Sequence, residues 1–146
     1  FINDVPVGNV LSITTPVGIQ IPEADMENWT NKDNKIWCPT SSLLSATWDT
    51  GNHATGGMNL GNLTSPSDDV RPGSTGSKSA YMASMKAAVF GIGAFAAGNL
   101  FVGKFVDIDG MGGIVDFGKP FNYTARPKAV KFWMKKFAPL ISPVKG

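Results

Sequence analysis

Few side chains in this chain can do chemistry. His53 is its single histidine and Cys38 its single cysteine. One cysteine excludes an intrachain disulfide and any zinc site built on several thiolates. No serine, cysteine or carboxylate arrangement around His53 can be read from spacing, so the expectation for it is a polar loop residue rather than a catalytic base. Asp107 and Asp109 stand two apart and share a face if they lie on a strand. Paired carboxylates serve as the acid and base of glycosidases or as calcium ligands, but an EF-type loop needs ligands where Met111 and Gly118 stand. A solvated strand end before a turn is the expected reading, and neither a metal nor a cofactor is expected.

Two glycine-rich stretches resemble phosphate-binding loops and fail on inspection. Pro72–Ser79, PGSTGSKS, has Ser77 and Pro72 where a P-loop requires glycines. Gly91–Ala96, GIGAFA, has the spacing of a dinucleotide fingerprint, yet Gly98 and Asn99 leave no room for the helix that must hold the pyrophosphate. The tryptophans are the stronger set. Trp37, Trp48 and Trp133 present flat apolar faces that suit the CH faces of sugar rings, and Asp49, Asn52 and Arg126 supply partners for hydroxyls. Their competing role is that of core or loop anchors. Within WDTGN, a large aromatic, a carboxylate and an amide lie in five residues beside a turn-forming glycine. Trp48, Asp49 and Asn52 are therefore expected at the chief surface depression, with Trp37 supporting them from behind.

Positioning these groups falls to short strands. With 17 glycines and 10 prolines in 146 residues, long helices are disfavoured and many turns are implied, which favours an all-β, antiparallel β-sandwich. The apolar density peaks from Ser79 to Phe121, and this stretch is expected to form the core. There, Gly91, Gly93 and Gly98 oppose a helix, since each costs about 1 kcal/mol relative to alanine in a helix interior. The expected order is strand, glycine-rich link, strand. Phe101, Gly103 and Phe105 then alternate with Val102, Lys104 and Val106, a turn follows at Asp109–Gly113, and Ile114–Phe117 return as the second arm of a hairpin.

Around this stretch the pattern is weaker. Val10–Ile13 and Val17–Ile21 are candidate edge strands broken by Pro6, Pro16 and Pro22, so residues 1–21 are expected to be a linker or the tail of a preceding module and 22–146 the sandwich domain. Ala24–Trp29 alternates before the polar run Thr30–Lys35, and Trp29 is expected to cover the core edge. Trp37–Ser79 shows no sustained periodicity and is expected as a long loop, with at least Trp37–Asn62 packed on the sandwich. After a turn at Asn122, Ala129–Phe137 alternates Val130, Phe132 and Met134 with Lys131, Trp133 and Lys135, as one more strand would.

Charged residues make up 16% of the chain and the net charge is +2, too weak a field for nucleic acid as a partner. No apolar run approaches the roughly 18 residues of a membrane span.

Taken together, Ile21–Trp29 (IPEADMENW), Trp48–Asn52 (WDTGN), Ala96–Phe105 (AAGNLFVGKF) and Phe117–Phe137 (FGKPFNYTARPKAVKFWMKKF) resemble the putative carbohydrate metabolism domain family (PCMD) of gut Bacteroidetes surface proteins. The resemblance implies a jelly-roll sandwich similar to carbohydrate-binding modules, and a bacterial cell-surface setting, outer-membrane anchored or periplasmic. It supplies no catalytic residues. Family members continue with a comparable C-terminal half, so this chain corresponds to the N-terminal half of the domain and its sandwich is expected to be incomplete or completed by another chain. Three functions follow as expectations. The first is a non-catalytic carbohydrate-binding or surface adhesion module with a polysaccharide or glycan as partner. The second is a glycoside hydrolase acting through Asp49, Asp107, Asp109 or Asp116, and the third a structural protein that assembles with a partner or with itself through an open sheet edge.

Overall fold

A computed structural model describes residues 20–89, 92–110, 112–121 and 129–137. The chain divides into two compact units, one spanning Gln20–Phe121 and the other made of residues 1–19 and 122–146. The expected strands at Val10–Ile13 and Val17–Ile21 fall at or beyond the start of the described residues, and the turn at Asn122 lies outside them. In the second unit the described residues 129–137 form neither helix nor strand, which corrects the strand expected there. Both alternating sets are exposed, Phe132 and Trp133 alike, so no buried face selects a register. A local contact remains, with Lys135 Nζ lying 4.9 Å from the centre of the Phe137 ring.

Among its described residues the first unit is all-β apart from one short helix. Its elements are β1 (Thr30–Lys32), β2 (Ile36–Cys38), β3 (Trp48–Asp49), α1 (Asn52–Gly57), β4 (Thr64–Ser67), β5 (Ser79–Met82), β6 (Ser84–Val89), β7 (Ile92–Ala97), β8 (Phe101–Asp109) and β9 (Gly112–Phe117). Among the described residues all pairings are antiparallel and no sheet closes: β1 pairs with β2, β4 with β5 and β6 with β7, while β8 lies between β3 and β9.

Two strands form as expected at the start of this stretch, but the glycine-rich link is corrected: β6 and β7 pair in unbroken register from Ser84↔Ala97 to Val89↔Ile92, which places Gly93 inside β7, while residues 90 and 91 lie outside the described residues. The hairpin of β8 and β9 also forms, and carries a register shift between Phe105 and Asp107. Two further expectations are corrected. The alternation at Ala24–Trp29 builds no strand, since residues 22–25 make turns and 26–29 are neither helix nor strand, and the strand falls on the polar Thr30–Lys32. Asp33 and Asn34 explain this, because both adopt positive φ (53° and 55°) and Lys35 N donates to Lys32 O (3.0 Å), closing a tight turn within the three-residue loop that joins β1 to β2.

The second correction concerns the core. The buried residues of the described chain lie mostly between Cys38 and Thr64, inside the segment expected as a loop, whereas Phe95 and Phe117 of the expected core are 72% and 73% exposed. This buried centre is unusually polar, comprising Thr40, Thr47, Asp49, Thr50, Asn52 and Thr64 beside Cys38 and Leu63. Polar groups bury cheaply only when each finds a partner. Asn52 shows how that is met. Its Nδ2 donates to the carbonyls of Trp37 (2.8 Å) and Thr64 (2.6 Å), and its Oδ1 accepts from the amides of Leu63 and Thr64 (both 3.0 Å), so one side chain ties α1 to β2 and β4.

Close backbone contacts lock the strands to this centre. Ala83 donates to Leu63 O and Gly98 donates to Ala83 O, joining the ends of β4, β5 and β7. A Cβ at Gly98 would lie 2.4 Å from Leu63 O, so only glycine fits. At the other end of the segment, Glu23 accepts the hydroxyl of Thr40 (2.9 Å) and both the amide and hydroxyl of Ser41 (2.7 Å each).

Candidate functional site

β3 is only two residues long, yet it sets the site. It pairs with β8 through Trp48↔Val102 and Asp49↔Phe101, and Gly103 N donates to Thr47 O. Gly103 has φ 144°, and a Cβ there would sit 2.2 Å from Asp116 O, so glycine lets β3, β8 and β9 converge beneath the site. Alternation then sends Trp48 and Asp49 to opposite sides of the strand.

Asp49 faces inward and is buried. Its Oδ1 accepts the amide of Thr50 (2.8 Å) and lies 3.0 Å from His53 Nε2, while Oδ2 accepts the amide of Phe105 (2.8 Å). Burial pushes the Asp49 carboxyl up, but the bond to His53 and the amides of Phe105 and Thr50 together outweigh it and hold the group below its ordinary value. His53, on the first turn of α1, stacks on Phe105 with ring centres 5.3 Å apart and planes 14° apart. The same Nε2 lies 3.9 Å from the Sγ of buried Cys38. The Asp49 bond, helped by Cys38 and opposed by burial, raises His53 to about 9, so the ring is an imidazolium at neutral pH.

A nucleophilic relay is not what this geometry builds. In a Cys–His–Asp relay the imidazole meets the nucleophile with one nitrogen and the carboxylate with the other. Here thiol and carboxylate share Nε2, and a protonated ring cannot act as general base.

Trp48 faces the other way. It is half-buried, and its Nε1 donates to Pro22 O at 2.8 Å, which fixes the indole plane. Trp48 forms part of the wall of a depression of about 740 Å³, in which Lys104, Asp107, Asp116 and Lys119 also stand. Cys38, Asp49 and His53 border the same depression. Lys119 is held in place by donating to the carbonyls of Ser45 and Ala46.

The residues expected at the site therefore separate. Trp48 and Asp49 border the larger depression. Asn52 does not; it borders a second, more apolar depression of about 310 Å³, and its amide is fully engaged by the backbone. Trp37 lines neither depression, its carbonyl and amide being bonded to Asn52 and Asn62. Arg126 lies outside the described residues, and Trp133 belongs to the second unit. Of the four aspartates, Asp49, Asp107 and Asp116 border the larger depression and Asp109 does not.

Spacing gave little warning of the Cys38–Asp49–His53 cluster. Asp49 and His53 are four apart, but Asp49 ends β3 and His53 lies on the first turn of α1, and Cys38 arrives from the β1–β2 hairpin. The loop Pro72–Ser79 holds no phosphate-type cradle open: the amides of Ser77 and Lys78 donate to the carboxylate of Glu27.

No helix among the described residues is long and apolar enough to cross a membrane. No curated protein and no solved structure matches the chain. The family model described as putative carbohydrate metabolism domain matches residues 25–136, a span that takes in β1 through β9 and the whole of the depression's described wall, and the chain belongs to that family.

Proposed function

We propose that this domain binds carbohydrate without cleaving it, through the depression walled by Trp48. The observation that carries the reading is the indole of Trp48, held by its bond to Pro22 O beside a set of side chains of both signs, Lys104, Asp107, Asp116 and Lys119. A fixed aromatic plane loses little entropy when a sugar ring stacks on it, and mixed donors and acceptors suit vicinal hydroxyls. Asp49 and Asn52 act from behind, spending their hydrogen bonds on the fold. Membership of a family described in terms of carbohydrate metabolism supports the ligand class. A bacterial cell-surface or periplasmic setting is part of the same proposal.

Stacking contributes about 1 kcal/mol, so Trp48→Ala should weaken a bound oligosaccharide about fivefold. A glycan array followed by calorimetry on wild type and variant tests this. Absence of binding to every polysaccharide overturns the reading, as does a Trp48→Ala variant that binds unchanged. A loss of melting temperature alone would make Trp48 an anchor.

The competing hydrolase reading rests on Asp107 and Asp116, the two carboxylates of the depression not tied up as Asp49 is. Release of reducing sugar that disappears in Asp107→Asn or Asp116→Asn would favour it.

A further inference from the structure

We propose that Cys38, Asp49 and His53 form a binding site for a divalent transition-metal ion, zinc(II) above all. The thiol Sγ, the imidazole nitrogen and a carboxylate oxygen lie within 4.8 Å of one another, all three at the edge of the same depression. They reach this point from β2, β3 and α1: Asn52 ties α1 to β2, and the amides of Thr50 and Phe105 hold Asp49 of β3. Preorganisation of that kind removes much of the entropy cost of gathering ligands.

The dimensions fit. Tetrahedral zinc with ordinary bond lengths sets a nitrogen–oxygen edge of about 3.3 Å and a nitrogen–sulfur edge of about 3.6 Å. The observed separations are 3.0 Å between His53 Nε2 and Asp49 Oδ1 and 3.9 Å between His53 Nε2 and Cys38 Sγ. Both observed edges lie within about 0.3 Å of those of a tetrahedral site, and the remaining sulfur–oxygen edge, at most 4.8 Å, closes to about 3.6 Å when an ion draws the ligands in. The convergence of thiol and carboxylate on one nitrogen, which defeats a catalytic relay, is what a metal requires, because every ligand atom must face a common point. An incoming ion takes the place of the proton shared by His53 and Asp49 and of the thiol proton, and both are released to solvent. Asp49 keeps its bonds from Thr50 and Phe105, which orient the carboxylate as outer partners of metal ligands commonly do. Three protein ligands leave a fourth position for water or for an oxygen of a molecule in the depression.

The chain's own composition makes the test unambiguous. With one cysteine and one histidine, any metal–thiolate or metal–imidazole signal comes from Cys38 or His53. The full chain is treated with chelator and titrated with cobalt(II). The expected result is saturable 1:1 binding with a thiolate-to-cobalt charge-transfer band, d–d absorption of tetrahedral intensity, hyperfine-shifted imidazole resonances, and displacement of the cobalt by zinc(II). Cys38→Ser should remove the charge-transfer band and weaken zinc binding about 100-fold, while Asp49→Asn should weaken it at least about tenfold. The wild-type spectrum alone decides the matter if either variant fails to fold. Lack of saturable binding, or cobalt binding without the charge-transfer band, overturns the proposal. The readouts involve no sugar, so they stand or fall separately from the carbohydrate reading.

Discussion

At the scale of single residues, Asn52 matters more to the fold than to any ligand. Its four hydrogen bonds lie in the buried centre, and removing the amide leaves two carbonyls and two amides to find new partners. Each such loss costs about 1 kcal/mol, and more where the orphaned group stays dry. Asn52→Ala should therefore lower unfolding free energy by about 3 kcal/mol or more, measured by urea denaturation, and Asn52→Asp should be little better because its carboxylate cannot donate to Trp37 O and Thr64 O.

Glu23 gives the pH dependence. Partial burial pushes its carboxyl up, but the Ser41 hydroxyl and amide, the Thr40 hydroxyl and the charge of Lys119 outweigh this, and the group titrates below its ordinary value of 4.5. A depressed carboxylate stabilises the fold fully above its unfolded-state value and loses that contribution as pH falls through its folded-state value. The melting temperature of wild type should accordingly exceed that of Glu23→Gln at pH 6. The gap should close as the pH falls below 4.5, and a gap independent of pH would contradict this assignment.

Among elements, the loop between β4 and β5 depends on a distant carboxylate. Glu27, in the segment before β1, accepts the amides of Ser77 and Lys78 and the hydroxyl of Ser77. These bonds, the Ser77 amide foremost, hold Glu27 below the usual carboxylate range. Glu27→Ala should speed hydrogen exchange at Ser77 and Lys78 while leaving the β6–β7 amides unchanged. At the junction of β4, β5 and β7, Gly98→Ala must push a methyl group into Leu63 O, so a marked drop in melting temperature is expected there and none at Gly57, where added bulk meets open space.

For the whole molecule, the described strands leave much apolar surface uncovered. Phe95 on β7 and Phe117 on β9 are largely exposed, and Val106 and Ile114 are also exposed, in sheets whose edge strands have no further partner among the described residues. Open apolar edges favour pairing with another chain. Sedimentation velocity over a hundredfold concentration range should show defined association, and a monomer throughout would remove the assembly reading.

The sequence by itself determined the class of this fold. Glycine and proline frequency excluded long helices, alternation in Phe101–Val106 marked β8, and the spaced glycines of Gly91–Gly98 opposed a helix where β6 and β7 form. These are local properties, fixed by backbone freedom and by the two-residue period of a strand. What only the tertiary structure decided is where the inside lies. Threonine, asparagine and aspartate read as loop in one dimension, since nothing local shows that their polar groups will be satisfied; at Asn52 and Asp49 the partners are Thr64 and Phe105, 12 and 56 residues away. Cys38, Asp49 and His53 are closer in sequence, yet their meeting was hidden too, because a hairpin, a two-residue strand and one turn of helix must all be placed before their atoms share a point.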